Sequence, residues 1–378
     1  MNKVAIAALL LLGGGSAAHA DLIDLGTLGG VTSQAWGIQS DGRVVVGVAD
    51  NGSAQQAFAY TVNAGFTGGT MTALDFLTGG SAAEARAISP TGLIVGYSRD
   101  SSANDQAVTW TGTTPTLITN TVGGAGARAF GVSTSGDVIG LATDSSGVQR
   151  AFVAVGGNMT ALDLTGINSQ HDPNAGHNAR ALGISPNGRY VVGEFEVDNG
   201  AGVAEVHGFV YDRTTPANSY ECSASGIGSA FATNNTRVVG SITNNGEVLA
   251  SFALHSGGSS SADFLPSLGG TGAGNAINSA GLVVGSQDVL GVGQVAVLWD
   301  AASTSATVTN LDTLYGTTGM LNSATGIADV AGVYSGWGTF GGATHGFLLT
   351  PSSGVIPEPT ALVFLVLGGT LVIVRRRR

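Results

Sequence analysis

A short signature of aliphatic residues followed by glycine recurs seven times along the chain. It reads VVVG, LIVG, DVIG, YVVG, RVVG, LVVG and DVAG, with successive copies 49, 44, 53, 47, 45 and 47 residues apart. The seven glycines are Gly47, Gly96, Gly140, Gly193, Gly240, Gly285 and Gly332. Self-similarity at a nearly constant period of this length is typical of repeat architectures. We therefore expect the chain to fold as a series of similar units.

Each unit contains four segments with the composition of β-strands. An alanine-containing segment such as AWGIQ or ALGIS precedes the signature, and tight-turn sequences such as SDG and PNG join the two. A segment with an aromatic residue follows, such as QAFAY or HGFVY, and then one containing Leu-Asp, such as MTALDFL. Four short strands in about 47 residues match a propeller blade. The sequence therefore predicts an all-β, seven-bladed β-propeller over residues 21–350.

The signature glycine stands inside a predicted strand, where glycine is unfavourable unless something needs the space. We expect an aromatic residue of the next strand to lie across each glycine. The candidates are Phe58, Phe152, Phe209, Phe252 and Phe347, with Val108 and Val297 in the remaining units. Since these residues recur in every unit, they are interpreted as core and the glycines as structural.

The seventh unit stops at HGFLLTPSSG, before a fourth strand. A spare segment of that type, IDLGTL, stands at 23–28, ahead of the first unit. An unpaired edge of a sheet invites aggregation. The sequence therefore predicts that Leu22–Leu28 pairs beside the strand around Thr344–Leu349, so that the last blade is completed from both ends of the chain.

The first 20 residues have the three parts of a secretory signal peptide. Lys3 supplies the basic start, residues 4–12 are apolar, and Ala18 and Ala20 form a small-x-small cleavage site for signal peptidase. Lys3 is the only lysine. Its removal would leave the mature protein without lysine Schiff-base chemistry or a Walker-type phosphate loop.

The other end, residues 351–378, has the features of a targeting segment. An uncharged apolar run at 360–374 is predicted to form a transmembrane helix, although it is shorter than the usual span of about 20 residues. Arg375, Arg376, Arg377 and Arg378 follow the run. These charges should stay in the cytoplasm, leaving the preceding chain outside. A plain C-terminal membrane anchor would have the same features.

The last 24 residues, with Pro357, Glu358 and Pro359 before the apolar run and the arginines after it, resemble the PEP-CTERM sorting signal. The resemblance implies a Gram-negative bacterium in which an exosortase processes the tail near the Pro-Glu-Pro triplet. The triplet would then be recognised by another protein and would have no catalytic role. The body would be sent to the cell surface or beyond it.

The repeats resemble the extracellular HAF repeat family, named for a His-Ala-Phe strand. The segments DLGTLGG at 24–30 and SLGG at 267–270 match its motif, while only His207 and His345 still precede a Gly-Phe pair. The resemblance covers residues 22–350 and implies an extracellular repeat protein. It adds no catalytic residue and no cofactor.

Few residues suggest chemistry in the body. His171, Asp172 and His177 lie in one polar insertion and are weak metal-ligand candidates, for which loop solvation is the alternative. The loops ADNGS, RDSSAND and TDSSG carry oxygen donors suited to calcium, but none has EF-hand or nonapeptide spacing, so turn chemistry explains them first. A single cysteine, Cys222, excludes a disulfide framework.

The charge balance excludes one class of partner. Without the signal peptide and the tail, nine arginines face 24 acidic residues, so the body carries a net charge near −15. Such a surface repels phosphate backbones and disfavours nucleic acid. We expect a non-enzymatic surface or matrix protein with a structural or binding role, associated with extracellular polysaccharide or surface proteins. The alternatives are a glycan hydrolase or lyase acting at the propeller mouth, and a calcium-dependent carbohydrate- or protein-binding module.

Overall fold

The innermost strands of seven sheets form a closed ring around a central axis. The computed structural model of the chain describes residues 21–165, 167, 177–198, 204–222, 228–244, 247–254, 263–300 and 307–351. These residues form seven sheets of four antiparallel strands. Each innermost strand contacts that of the next sheet, and the last contacts the first. The predicted all-β, seven-bladed propeller is confirmed.

Each blade follows the order innermost, second, third and outermost strand. The innermost strands are β2 (Ser33–Ile38), β6 (Ala83–Ile88), β10 (Gly123–Val132), β14 (Ala179–Ile184), β18 (Gly228–Thr233), β22 (Gly272–Ile277) and β26 (Leu321–Ile327). The second strands are β3 (Val44–Asp50), β7 (Ile94–Arg99), β11 (Val138–Asp144), β15 (Tyr190–Asp198), β19 (Arg237–Asn244), β23 (Leu282–Val289) and β27 (Tyr334–Phe340). The third strands are β4 (Gln55–Val62), β8 (Asp105–Thr111), β12 (Gln149–Val155), β16 (Ala204–Asp212), β20 (Glu247–Leu254), β24 (Gly293–Asp300) and β28 (Ala343–Thr350). The outermost strands are β5 (Gly69–Ala73), β9 (Thr114–Leu117), β13 (Asn158–Ala161), β17 (Tyr220–Glu221), β21 (Asp263–Phe264), β25 (Val308–Asn310) and, for the seventh blade, β1 (Asp21–Asp24).

Helical structure is minimal in the described part of the chain. A 3-10 turn spans Pro216–Asn218, and the short helix α1 (Leu311–Tyr315) links blades six and seven. No described helix is long and apolar enough to cross a membrane. The C-terminal helix predicted at 360–374 lies outside the described residues. So do the signal peptide and the other targeting residues, namely Ala18, Ala20, Pro357, Glu358, Pro359, Arg375, Arg376, Arg377 and Arg378.

The ring closes by pairing its two ends, as predicted. Strand β1 runs antiparallel to β28, with Asp21 opposite Thr350 and Asp24 opposite Phe347. The closing strand is shorter than the predicted 22–28, because the chain turns away after the Leu25 N–H donates to the Gly346 carbonyl. Residues 26–28 then lead towards the first blade.

The Leu-Asp segment is predicted to form the fourth strand, but it directly follows that strand. The residue that follows the outermost strand is buried, and in six blades its N–H donates to the third strand of the same blade at 2.8–2.9 Å. These residues are Leu25, Leu74, Ile118, Leu162, Cys222 and Leu265, and Leu311 is the buried counterpart in the remaining blade. Each of these side chains packs against the buried apolar residues at the outer edge of its blade.

Most of the aromatic residues predicted to lie opposite the signature glycines do so. Phe58, Phe152 and Phe209 face Gly47, Gly140 and Gly193 in the strand register, and all three side chains are fully buried. Val108 and Val297 take the same place opposite Gly96 and Gly285. Phe252 was assigned wrongly, since the backbone pairing puts Ser251 opposite Gly240.

The seventh signature glycine is Gly336 and not Gly332. Gly336 lies on β27 directly opposite Phe347, whereas Gly332 lies in the preceding turn with φ +77°. Both glycines lie about one repeat period after Gly285, and only Gly332 follows an aliphatic pair. The sequence pattern alone therefore favours Gly332. The strand register decides between them.

The first and last described residues of the chain lie on the same face of the ring. We call the face where the innermost strands begin the upper face, and the face where they end the lower face. Because strands alternate in direction, β28 ends on the lower face, where Pro351 lies beside Gly332 in the turn between β26 and β27. Asp21 pairs with Thr350 at the same level. Both Asp21 and Pro351 therefore lie on the lower face.

Candidate binding site: the axial cup

Every innermost strand carries a β-bulge at the same place. The register against the second strand skips one residue in each blade, between Ala35 and Gly37 in the first and between Ala181 and Gly183 in the fourth. The seven skipped residues are Trp36, Arg86, Phe130, Leu182, Phe231, Asn275 and Thr325. A bulge leaves its extra residue unpaired and re-aims the side chain. All seven line the central cavity.

The bulge explains the signature glycine. A Cβ on Gly193 would lie 2.0 Å from the carbonyl oxygen of Arg180, which belongs to the innermost strand, and 2.9 Å from the Phe209 ring. At the other six signature positions the corresponding carbonyl would lie 1.9–2.0 Å away. Aromatic cover was the predicted reason and is only part of it. The glycine is required chiefly because the bulged strand pushes its carbonyl into the space of a side chain.

The seven bulges create a cup that opens on the upper face. Its cavity has a volume of about 510 Å³, within the usual range of small-molecule sites. A second cavity of about 210 Å³ lies towards the lower face. The two share a ring of mostly aliphatic residues, namely Ile38, Ile88, Val132, Ile184, Thr233 and Ile327. The two cavities meet at this ring, which marks the lower limit of the cup.

The wall of the cup combines apolar and polar side chains, and most of the polar ones come from blades six and seven. Aromatic and aliphatic side chains come from Trp36, Phe130, Leu182, Phe231 and Trp337. Polar side chains come from Asn275, Ser286, Ser323 and Thr325. Arg86 is the one charged residue among the described lining residues, which include no carboxylate, imidazole or thiol. The arrangement suits a ligand with an apolar face, several hydroxyl groups and an anionic group.

Charged residues surround the upper mouth beside Arg86. The Arg86 guanidinium donates to Glu84 at 2.5 Å, and the second oxygen of Glu84 accepts from the Tyr97 hydroxyl at 2.9 Å. Burial and the neighbouring Glu84 carboxylate raise the pKa of Tyr97 to about 12. Arg128 packs over the Tyr97 ring and pairs with Asp105. The tyrosine therefore stays a neutral hydrogen-bond donor that orients Glu84.

His207, which precedes a Gly-Phe pair in blade four, lies away from the cup. His207 is 7% exposed on β16, and its Nδ1 lies 2.5 Å from Glu221 on β17, with Glu205 3.6 Å from Nε2. The hydrogen bond with Glu221 raises the pKa of His207 against the opposing effect of burial. His207 is thus a strand residue that also forms a buried ion pair.

This pair predicts a pH-dependent stability. Because the pKa of folded His207 is raised above its ordinary value of about 6.5, the pair stabilises fully below that pH. The contribution should disappear as the pH rises through the folded pKa. We expect the wild-type advantage over His207→Gln in the free energy of unfolding to be larger at pH 6 than at pH 9. Glu221→Gln should remove this pH dependence, and a constant difference in urea titrations would contradict the pairing.

The remaining histidine candidates do not converge on a site. His345 joins the closing strand to the last blade, with Nδ1 2.9 Å from the Asp24 carboxylate and Nε2 3.2 Å from the Val31 carbonyl. His177 is half-buried, while His171 and Asp172 lie outside the described residues. In the described ranges, no group of three or more His, Cys, Asp or Glu side chains could hold a metal ion.

The loops considered for calcium have their oxygens engaged in turns. Asp100 Oδ1 accepts from the N–H groups of Ser102 and Asn104, and Asp144 Oδ1 accepts from those of Ser146 and Val148. These are the bonds of Asx-type turns. Turn chemistry therefore accounts for the Asp and Ser in these loops.

Cys222 has a structural position. It is one of the buried residues that end the outermost strands, and burial raises the pKa of its thiol to about 12. A thiol with so high a pKa is protonated at neutral pH and is a poor nucleophile.

The similarity of this protein to known proteins is one of fold and not of sequence. No protein-family model and no curated protein matches the sequence. Among solved structures, oligogalacturonate lyase from Vibrio parahaemolyticus is similar over 89% of this chain and 94% of its own, with 9% identity and a TM-score of 0.50. A gluconolactonase from Xanthomonas campestris covers 89% of this chain and 92% of its own, with 12% identity and a TM-score of 0.42. TolB from Acinetobacter baumannii covers 82% of this chain and 80% of its own, with 10% identity and a TM-score of 0.40. The likeness is one of fold.

The cup residues escaped prediction, although the sequence carries a signal for them. Within the segments AWGIQ, ARAIS, AFGVS and ALGIS, the second position varies while its neighbours stay nearly constant. A varying position in an otherwise regular repeat indicates a side chain that does not serve the shared core. Only the bulge shows that this side chain lines the axis.

Proposed function

We propose that the protein is an exported binding protein of the cell surface or extracellular matrix, and that the axial cup is its binding site. One observation carries the proposal. Both Asp21 and Pro351 lie on the lower face, and the cup opens on the opposite face. A membrane anchor that follows residue 351 would hold the lower face towards the membrane and present the cup to the exterior.

Export and sorting rest on the two ends of the sequence. Signal peptidase and an exosortase are the proposed processing partners, acting at Ala20 and near Pro357–Pro359. Processing by an exosortase would place the mature protein on the surface or in the polysaccharide matrix. The strong negative charge of the body and its lack of lysine fit a soluble domain in that location.

The sorting part of the proposal predicts a change in location. Deleting residues 357–378 should release the protein from the inner membrane, and replacing Arg375–Arg378 with glutamine should disturb its orientation because those charges set topology. Cell fractionation with protease protection measures both effects. An identical distribution of the full-length, truncated and arginine-free chains would contradict the proposal.

Catalysis is the competing function, because propellers of this fold include enzymes. A glycan-cleaving site at the propeller mouth would need carboxylates that face the axis. The described lining of the cup holds Arg86 and neutral residues, and the nearest rim carboxylate, Glu84, is engaged by Arg86 and Tyr97. This arrangement supports binding over acid–base chemistry. Cleavage of a bound glycan would favour the enzyme instead.

A further inference from the structure

Arginine is concentrated at one sector of the upper mouth. Of the nine arginines in the body, Arg86, Arg128 and Arg180 lie on the innermost strands of three consecutive blades. Their side chains are 31%, 43% and 46% exposed. Arg128 is paired with Asp105 and Arg180 with Glu194, and of the three only Arg86 is among the described residues that line the cup.

Arg86 reaches deepest and is held ready for a ligand. Its guanidinium carbon lies 4.4 Å from the centre of the Trp36 ring and 5.5 Å from that of Phe130. Glu84 takes only Nη1, so Nε and Nη2 have no partner among the described residues and are not buried. These two N–H groups are parallel, which matches the two oxygens of a carboxylate. The contacts with the Trp36 and Phe130 rings and the hydrogen bond to Glu84 hold the Arg86 guanidinium in place before a ligand binds.

The polar side chains of blades six and seven offer hydrogen-bond acceptors. Asn275 donates through Nδ2 to Ser323 Oγ at 3.1 Å and to the Ala324 carbonyl at 3.0 Å, which leaves its Oδ1 as an acceptor. The Thr325 hydroxyl donates to the Ala35 carbonyl at 2.7 Å and keeps its lone pairs. Hydroxyl groups of a ligand can donate to both. Trp36 and Trp337 supply flat apolar surface for the rest of it.

From these contacts we propose that the cup binds a carboxylated saccharide, a uronate-containing oligosaccharide of about two sugar units. The inference rests on the proposed binding function of the cup. The carboxylate pairs with Nε and Nη2 of Arg86, one sugar face packs against Trp36, and hydroxyls donate to Asn275 and Thr325. A phosphate dianion is disfavoured, because Glu84 already takes Nη1 of Arg86 and repels a second negative charge beside it.

The test compares acids with their neutral parents. The probes are cellobiouronic acid with cellobiose, digalacturonic acid with galactobiose, and dimannuronic acid with mannobiose. Titration calorimetry of the full-length chain in detergent, at low ionic strength, should show at least one acid binding on the order of tenfold more tightly than its parent. Tryptophan fluorescence should change with binding, since Trp36 and Trp337 line the cup while Trp110 and Trp299 are buried in the core.

Variants assign the preference to one side chain. Arg86→Gln should remove the preference for the acid, and Arg86→Lys should keep only part of it, because lysine has the charge without the fork. Arg150→Gln is the matched control, since Arg150 is also paired with a carboxylate, that of Asp144, but lies on a third strand. Unfolding curves verify that each variant is folded.

The outcomes separate this inference from the proposed function. If no acid exceeds its parent, or if Arg86→Gln keeps the preference, the inference is overturned. Binding of neutral parents that is weakened by Trp36→Phe would then leave the cup as a saccharide site. If none of the six saccharides binds, the inference also fails, and fractionation of the tail variants judges the sorting proposal independently.

Discussion

Replacing Leu25 with aspartate should lower the free energy of unfolding by about 3–5 kcal/mol, because an unpaired charge would be buried where the ring closes. The Leu25 side chain is 5% exposed and packs in one cluster with Phe58 of the first blade and Leu348 of the last. A carboxylate there has no cationic partner among the cluster residues. Denaturant titration of purified protein measures the loss.

Val31→Asp is the matched control for this prediction. Val31 lies on the same N-terminal segment, but its side chain is 64% exposed. The control should change stability by no more than about 0.5 kcal/mol. Equal effects of the two substitutions would show that the N-terminal segment is not built into the ring, and the closure would be wrong.

Gly193→Ala should destabilise the propeller by about 3 kcal/mol, although it adds a single methyl group. The added carbon would lie 2.0 Å from the Arg180 carbonyl, and neither the bulge nor the Phe209 ring behind it can move without disturbing packed neighbours. Because the bulge also aims Leu182 into the cup, the variant should weaken ligand binding as well.

Gly65→Ala provides the comparison, since the nearest atom to its added carbon is 3.8 Å away. That variant should stay within about 0.5 kcal/mol of the wild type. If the two alanine variants unfold at the same denaturant concentration, the requirement for glycine opposite the bulge is refuted.

The architecture was predictable because it depends on repetition. Seven copies of one strand pattern cannot bury their apolar faces separately, so they stack, and four strands per unit specify a blade. The incomplete last unit and the spare first segment likewise predicted that the two termini pair. The length of that strand was not predictable, because Leu25 leaves the sheet to fill the core between blades.

Errors arose where two residues fit one pattern. Gly332 and Gly336 both stand near the expected spacing, and Ser251 and Phe252 are adjacent, so composition could not decide which one faces its partner strand. A register shift of one residue exchanges the faces of a strand. Cross-strand pairing selects Gly336 and Ser251.

The candidate site depended on tertiary structure almost entirely. Trp36, Arg86 and Asn275 are about 50 to 240 residues apart in sequence and meet only because the ring brings seven bulges to one axis. By itself, the sequence determined the repeat, the fold class, the closure from both ends and the acidic character of the body. These are sums or periodicities over many residues. The tertiary structure decided which side chain of each blade faces the axis. That side chain is set by the bulge of the innermost strand, in which a single carbonyl packs against the signature glycine of the second strand.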